Sequence, residues 1–398
     1  MEKQYYRIKD IASIKSGKRL PAGHLFSDEP TSHPYIRSRD IKNGRILSSN
    51  LAYLEEETFQ FIKKYIIEEG DVAITIVANI GDIGYCDTDC DKFNLTENAV
   101  RLTKFNQKIV DSQYLAFYLG QPFMKQYMES LAAGAAQAKL GIYKIEKIKV
   151  PLPKIEYQRR IASILSAYDN LIENNNRRIR LLEQMAENLY KEWFVRFRFP
   201  GHEKVEMIDS KIGKIPSSFI VTTMNEVFEE HIGGGWGNED KNEEFPVLAS
   251  VIRGADFPNV WHYDISTCPK RYHKISNYKS RQLQDGDIVL EISGGTSEQP
   301  VGRTVLITQD MINRFEEGKV ICASFCKLVR LKKGKISPFY FYYWMHYLYD
   351  TRIIDRYQLQ STGIINFKFE AFLKKGILML PPKDLMLSFE EQMVPLFK

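Results

Sequence analysis

Two stretches of this chain gather basic side chains away from acidic ones, the pattern that suits contact with phosphate. Residues 11–27 hold Lys15, Lys18 and Arg19 with no Asp or Glu, and Arg37, Arg39, Lys42 and Arg45 follow closely. Residues 265–284 hold Lys270, Arg271, Lys274, Lys279 and Arg281, with Tyr272, His273 and Tyr278 interleaved and again no acid. In such sets Lys and Arg neutralise phosphates, Arg reads guanine edges, and Asn or Gln reads adenine. These residues are the candidate nucleic-acid contacts, although a solvated loop accounts for any single one of them equally well.

Reactive constellations are missing from the sequence. No GxxxxGK[ST] run is present to cradle a nucleotide phosphate. Methyl transfer to adenine would call for an Asp/Asn-Pro-Pro-aromatic tetrapeptide, and Pro381-Pro382 is flanked instead by Leu380 and Lys383. Cys86 and Cys90, and Cys322 and Cys326, are each four apart, like zinc half-sites, but the histidines are scattered and no CxxC occurs. His231, His262 and Glu291 share no spacing that would make a hydrolase. No catalytic residue, metal or cofactor is therefore expected on this chain. Asp71 and Asp287 sit in Gly-Asp turns, where a backbone-capping role is expected. The glycine loops 79–84 and 294–302 lack phosphate-loop spacing, and Gly233-Gly234-Gly235-Trp236-Gly237 reads as a flexible connector.

The elements that must position the basic residues repeat. Asp71 and Asp287 lie 216 residues apart, each followed by a β-rich run and a glycine loop. Tyr35 to Gly44 parallels Val247 to Phe257, and residues 99–102 parallel 325–331. An aromatic helix predicted over 114–127 parallels one over 338–349. Gly141-Ile142 is then set against Gly363-Ile364, and Pro151-Leu152-Pro153 against Leu380-Pro381-Pro382. Short alternating strands bounded by Gly, Asn and Asp, followed by one helix, predict two copies of a mixed α/β (α+β) domain with a small, mostly antiparallel sheet.

Between the copies, residues 156–198 predict one long helix. Ile161, Ile164, Tyr168, Leu171, Asn175, Ile179, Leu182, Met185, Leu189 and Trp193 recur every three or four residues, the narrow stripe of a helix packed on a partner helix. From Ile161 to Trp193 such a helix spans on the order of 50 Å.

Composition bounds the rest. With 398 residues, 44% hydrophobic and 26% charged, the chain has room for two or three cores, and a net charge of +5 makes any nucleic-acid contact a local patch. No apolar run approaches the roughly 18 residues of a membrane span, and the first ten residues lack a signal-peptide core. An odd count of 5 cysteines argues against a disulfide framework, so a cytoplasmic protein with no membrane contact is expected.

The run QRRIASILSAYDNLIENNNRRIRLLEQMAENLYKEW over 158–193, with 194–200 and Gly213-Lys214-Ile215-Pro216, resembles the central conserved region of the specificity subunit of type I restriction-modification systems. The EGD and DGD turns resemble those of its two target-recognition domains. The resemblance implies a non-catalytic subunit whose domains each read half of a bipartite double-stranded DNA site. Its helices act as a ruler and a dock for DNA adenine methyltransferase subunits, with a motor or endonuclease subunit as a further partner. S-adenosylmethionine, and ATP with Mg2+ for restriction, are then expected on those partners. Expected domains are 1–153 and 201–380 for target recognition, 154–200 for the spacer helix, and 381–398 for the start of a second conserved helix.

That second helix is where the sequence departs from the pattern, since only 389–395 echoes 157–161. Another chain is therefore expected to cover the apolar stripe, either a second copy in a homodimer or the methyltransferase subunit. The alternatives are a truncated or regulatory specificity protein, and a non-DNA interaction protein with two domains on a coiled-coil strut.

Overall fold

The structure is a computed structural model that describes residues 3–48, 50–133, 138–296, 298–361 and 364–397. The chain divides into two compact units, residues 1–175 and 176–398.

In the first unit a six-stranded sheet runs in the order Ser13–Ser16, Ala99–Thr103, Val72–Thr75, Ile83–Tyr85, Gly44–Ile46, Ile41–Lys42. Its first four strands are antiparallel neighbours. The run Val72–Thr75 is buried at every position, as a central strand covered on both faces must be. A second sheet has Pro34–Ile36 at its centre, antiparallel to Ala52–Tyr53 and parallel to Asn94–Leu95. A third is a pair, Gln4–Arg7 against Lys149–Leu152. Ile8, Val72, Ile74, Val100, Leu115 and Met128 lie together in the core between the large sheet and its helices.

The second unit repeats this plan. Its main sheet runs Phe228–Gly233, Cys326–Leu331, Ile288–Glu291, Thr304–Leu306, all antiparallel. Val247–Ile252 is the centre of a three-stranded sheet, antiparallel to Lys270–His273 and parallel to Val320–Cys322. Ile220–Thr223 pairs with Ile377–Leu380. The mixed α/β class, the small and mostly antiparallel sheets and the long central helix all agree with the sequence reading.

Backbone register corrects several equivalences drawn from sequence. Leu140 N–H donates to Ile76 O at 3.0 Å, and Phe367 N–H donates to Ile292 O at 2.8 Å. Leu140 thus matches Phe367, and Gly141-Ile142 matches Lys368-Phe369; the Gly363 of the sequence pairing lies outside the described residues. A hairpin of Gln358–Ser361 and Ile364–Phe367, found in the second unit, shifts the spacing there. Leu152-Pro153 matches Leu380-Pro381, one residue from the sequence pairing. The aromatic segment of the first unit is two helices, Ser112–Leu119 and Pro122–Ala132, because Gly120 ends one and Pro122 starts the next. In the second unit it is one helix, Pro338–Asp350.

The long helix runs Ile155–Tyr190 and passes into a wider turn over Lys191–Val195. Helix Lys383–Met393 starts at the position equivalent to Ile155, six residues before the 389–395 echo suggested by sequence. Its buried Met386, Phe389 and Met393 join the second unit's core, where Phe389 lies 5.1 Å from Phe194 and 6.0 Å from Trp193, centroid to centroid.

Candidate nucleic-acid interface

Each unit builds one loop in the same way, directly after the first strand of its main sheet. In the first unit Gly17 N–H donates to Ala99 O at 3.1 Å and Lys18 N–H to Leu95 O at 2.8 Å. In the second, Gly234 N–H donates to Cys326 O and Gly235 N–H to Cys322 O, both at 2.9 Å. A methyl group added to Gly17 would sit 2.1 Å from Thr96 O, and one added to Gly234 would sit 2.1 Å from Ala323 O. Only glycine allows so close a backbone approach. The stretch 233–237 is therefore a pinned loop, which corrects its reading as a flexible connector. Lys18 and Arg19 are matched by Gly235 and Trp236.

A second shared device lies beside this loop. Arg37 N–H donates to Asp40 Oδ2 at 2.8 Å and its Nε to the same oxygen at 2.9 Å; Arg253 and Asp256 repeat both bonds at 2.9 Å. The arginine is thus folded back on its own turn and closes the start of a short helical turn. The predicted capping role of Asp71 and Asp287 is also visible. Their Oδ2 atoms accept from Glu68 N–H at 3.0 Å and Gln284 N–H at 2.7 Å, and each aspartate is further held by an arginine, Arg101 at 2.6 Å and Arg330 at 2.8 Å.

The other basic candidates separate into committed and free charges. Arg45 is bound to Glu173 and, at 3.2 Å, to Asn170 on the long helix. Lys270 pairs with Glu316, Lys274 with Glu244, and Arg271 with Glu239 at 3.0 Å. Arg19 pairs loosely with Glu97 at 3.4 Å, and Arg281 Nε donates to Gly233 O at 2.8 Å. Lys15, Lys18, Lys42 and Lys279 are exposed and have no ion-pair partner among the described residues, while exposed Arg39 reaches Asp40 only at 3.9 Å. His273 is fully buried with both ring nitrogens enclosed and unpartnered. Burial also lowers its pKa, so it is a neutral core group and no direct contact for a duplex in this conformation.

These geometries can be set beside known proteins. Residues 1–184 match the family model described as type I restriction modification DNA specificity domain. The type I restriction enzyme MjaIX specificity subunit of Methanocaldococcus jannaschii is 23% identical over 98% of this chain and 86% of its own length. The MjaVIII specificity subunit of the same organism is 27% identical over 72% of this chain and 63% of its own. The crystal structure of the S subunit of a type I restriction-modification system from M. genitalium has the same fold, with a TM-score of 0.62 at 14% identity, covering all of this chain and 89% of that one. The chain is similar over nearly its whole length to type I restriction-modification specificity subunits.

Specificity subunits, to which the chain is similar, are non-catalytic components of these systems, so the side chains to explain here are contacts. On the long helix, Ile164, Tyr168, Leu171, Ile179 and Met185 of the predicted partner face are exposed, and Ile161, Leu182 and Leu189 are half-buried. Asn175, the polar member of that face, is exposed. Trp193 is buried in the second unit's own core with Ala186, Tyr190 and Phe194, which removes it from any surface offered to a partner. The sequence stripe missed this second, inward stripe because helical spacing records which positions are apolar and not what covers them. Among the described residues, Cys86 and Cys90 bring their Sγ atoms to 3.0 Å in a buried site, and no cluster of three metal-ligating side chains forms. No helix among them is long and apolar enough to cross a membrane.

Proposed function

We propose that this chain supplies the DNA sequence recognition of its complex, each unit reading one half of a bipartite double-stranded site. The observation that carries this reading is the repetition of one framework, with matched central strands and matched backbone bonds, whose pinned loop bears different side chains in each copy. A complex reading two unlike half-sites needs one scaffold and two sets of tips. Free Lys15, Lys18, Lys42 and Lys279 supply phosphate contacts that hold the register.

The long helix sets the spacing between half-sites and docks the adenine methyltransferase subunits through Ile164, Tyr168, Leu171 and Met185. A second copy of the chain on the same face is the competing occupant. S-adenosylmethionine acts on the methyltransferase, ATP and Mg2+ on a motor subunit, and the assembly works in the cytoplasm. Transfer of the methyl group to adenine N6 is then chemistry of the partner, directed by this chain.

The test is duplex binding by the chain with its cognate methyltransferase, followed across salt concentration. Affinity should fall by orders of magnitude between low and moderate salt as phosphate contacts are screened. Binding that ignores salt would reject the reading. Deleting seven residues within 161–193 shortens the helix by about 10 Å, roughly three base pairs at 3.4 Å each. Methylome sequencing should then report a shorter spacer between unchanged half-sites, or no site at all.

A further inference from the structure

The pinned loops do more than repeat: they place chemically opposite side chains at matched positions. Backbone bonds align Asn98 with Phe325, since Ile76 N–H donates to Asn98 O at 2.8 Å and Ile292 N–H to Phe325 O at 2.9 Å. The glycine cradle aligns Arg19 with Trp236. The first unit therefore shows Arg19 and Asn98 where the second shows Trp236 and Phe325.

Arg19 and Asn98 line one cavity of about 250 Å3 together with Tyr35 and Arg37. The Arg19 side chain is 77% exposed, and its partner Glu97 holds it only at 3.4 Å. The guanidinium of Arg19 and the amide of Asn98 offer the donors and the acceptor that match base edges, Arg to guanine and Asn to adenine. In the second unit Trp236 is 40% exposed and Phe325 64% exposed. Leaving large aromatic surfaces in water is costly unless a partner covers them. The Arg271 guanidinium lies 4.8 Å from the Trp236 ring centre and braces it. Its Nε is buried without a hydrogen-bond partner, and its remaining anchor, Glu239, is a 77% exposed side chain that an incoming group can displace.

We infer that the two units read their half-sites by different chemistry. The first uses hydrogen bonds from Arg19 and Asn98, and the second uses apolar contact of Trp236 and Phe325 with base edges and thymine methyl groups. The inference rests on the DNA-recognition reading above and names the side chains that carry it.

The experiment takes the full chain with its cognate methyltransferase, the site being defined first by methylome sequencing. Affinities are measured for the intact duplex and for duplexes with either half-site replaced. Trp236→Ala and Phe325→Ala should each weaken binding to the intact site roughly 10- to 100-fold. They should abolish discrimination at one half-site, keep it at the other, and leave the salt slope unchanged. Arg19→Ala should do the reverse and reduce the salt slope by about one. Glu239→Ala, which releases Arg271, should tighten binding roughly two- to fivefold. All four positions are solvent-facing, so a preserved thermal transition separates lost contact from lost fold. Variants that discriminate both half-sites like the unaltered chain overturn the inference while the recognition reading stands. Absence of sequence-specific, salt-dependent binding by the unaltered complex overturns that reading itself.

Discussion

The first unit holds its turn aspartate with an arginine from the middle of the neighbouring strand, and the second with an arginine two residues further on. Register makes Arg101 equivalent to Leu328, and Arg330 equivalent to Thr103, yet both guanidinium groups reach the same carboxylate position. The lesson is that these frameworks keep an interaction and not a residue. What does not vary is the set of carbonyls that meet Gly17 and Gly234, the parallel strand beside Pro34–Ile36 and Val247–Ile252, and the arginine–aspartate turns, where both residues are kept.

If the aspartate clamp is the shared support, breaking it should be the largest effect in either unit. Asp287 is 1% exposed, and burial pushes its carboxyl up even with Arg330 against it. Arg330→Met leaves that charge buried without its partner and is expected to cost about 3–5 kcal/mol. Arg101→Met should cost a similar amount in the first unit. Chemical denaturation of the full chain, with hydrogen exchange to assign the affected unit, checks both. A loss under 1 kcal/mol in one unit alone would show that the clamp is not equivalent in the two copies.

Acid should separate the units next. His346 lies on the aromatic helix of the second unit at the position where the first has Gly120. Burial pulls its imidazole down to about 4, partly offset by a hydrogen bond to the Thr304 backbone. The fold holds the neutral ring, so its contribution is complete above the unfolded value near 6.5 and is lost as pH falls from there towards 4. The loss is at most about 3 kcal/mol. Unfolding of the second unit should therefore steepen below pH 6.5, and His346→Leu should flatten that limb. An acid limb identical in the variant would assign it elsewhere.

The sequence displayed the repeat through glycines and aspartates, because a turn that needs positive φ or a backbone cap restricts residue type. Gly70 and Gly286 have φ of 87° and 85°, which is why EGD and DGD stood out 216 residues apart. The cradle loops were hidden for the opposite reason. Ser-Gly-Lys-Arg and Gly-Gly-Gly-Trp share one obligatory glycine, and the carbonyls that demand it come from strands some 80 to 90 residues away in the chain. Basic residues were easy to find but hard to sort, since their ion-pair partners, such as Glu173 for Arg45 and Glu316 for Lys270, lie far off in sequence. Trp236, Phe325 and Asn98 carried no charge signal and emerged only once register aligned the copies.

The glycines give the sharpest remaining test of equivalence. Gly17→Ala and Gly234→Ala each drive a methyl into a backbone carbonyl at 2.1 Å, and no flexible side chain can move aside to relieve it. The loop must lift or the strand must shift, at an expected cost of about 2 kcal/mol. The two costs should be similar, because the added methyl meets a carbonyl at the same distance in both loops. Because the loop also carries Arg19 or Trp236, each substitution should weaken DNA binding more than it weakens the fold. A Gly234→Ala chain that unfolds like the original and binds duplex DNA equally well would mean that the second loop can lift off without consequence, and the matched cradle would then be a feature of packing alone.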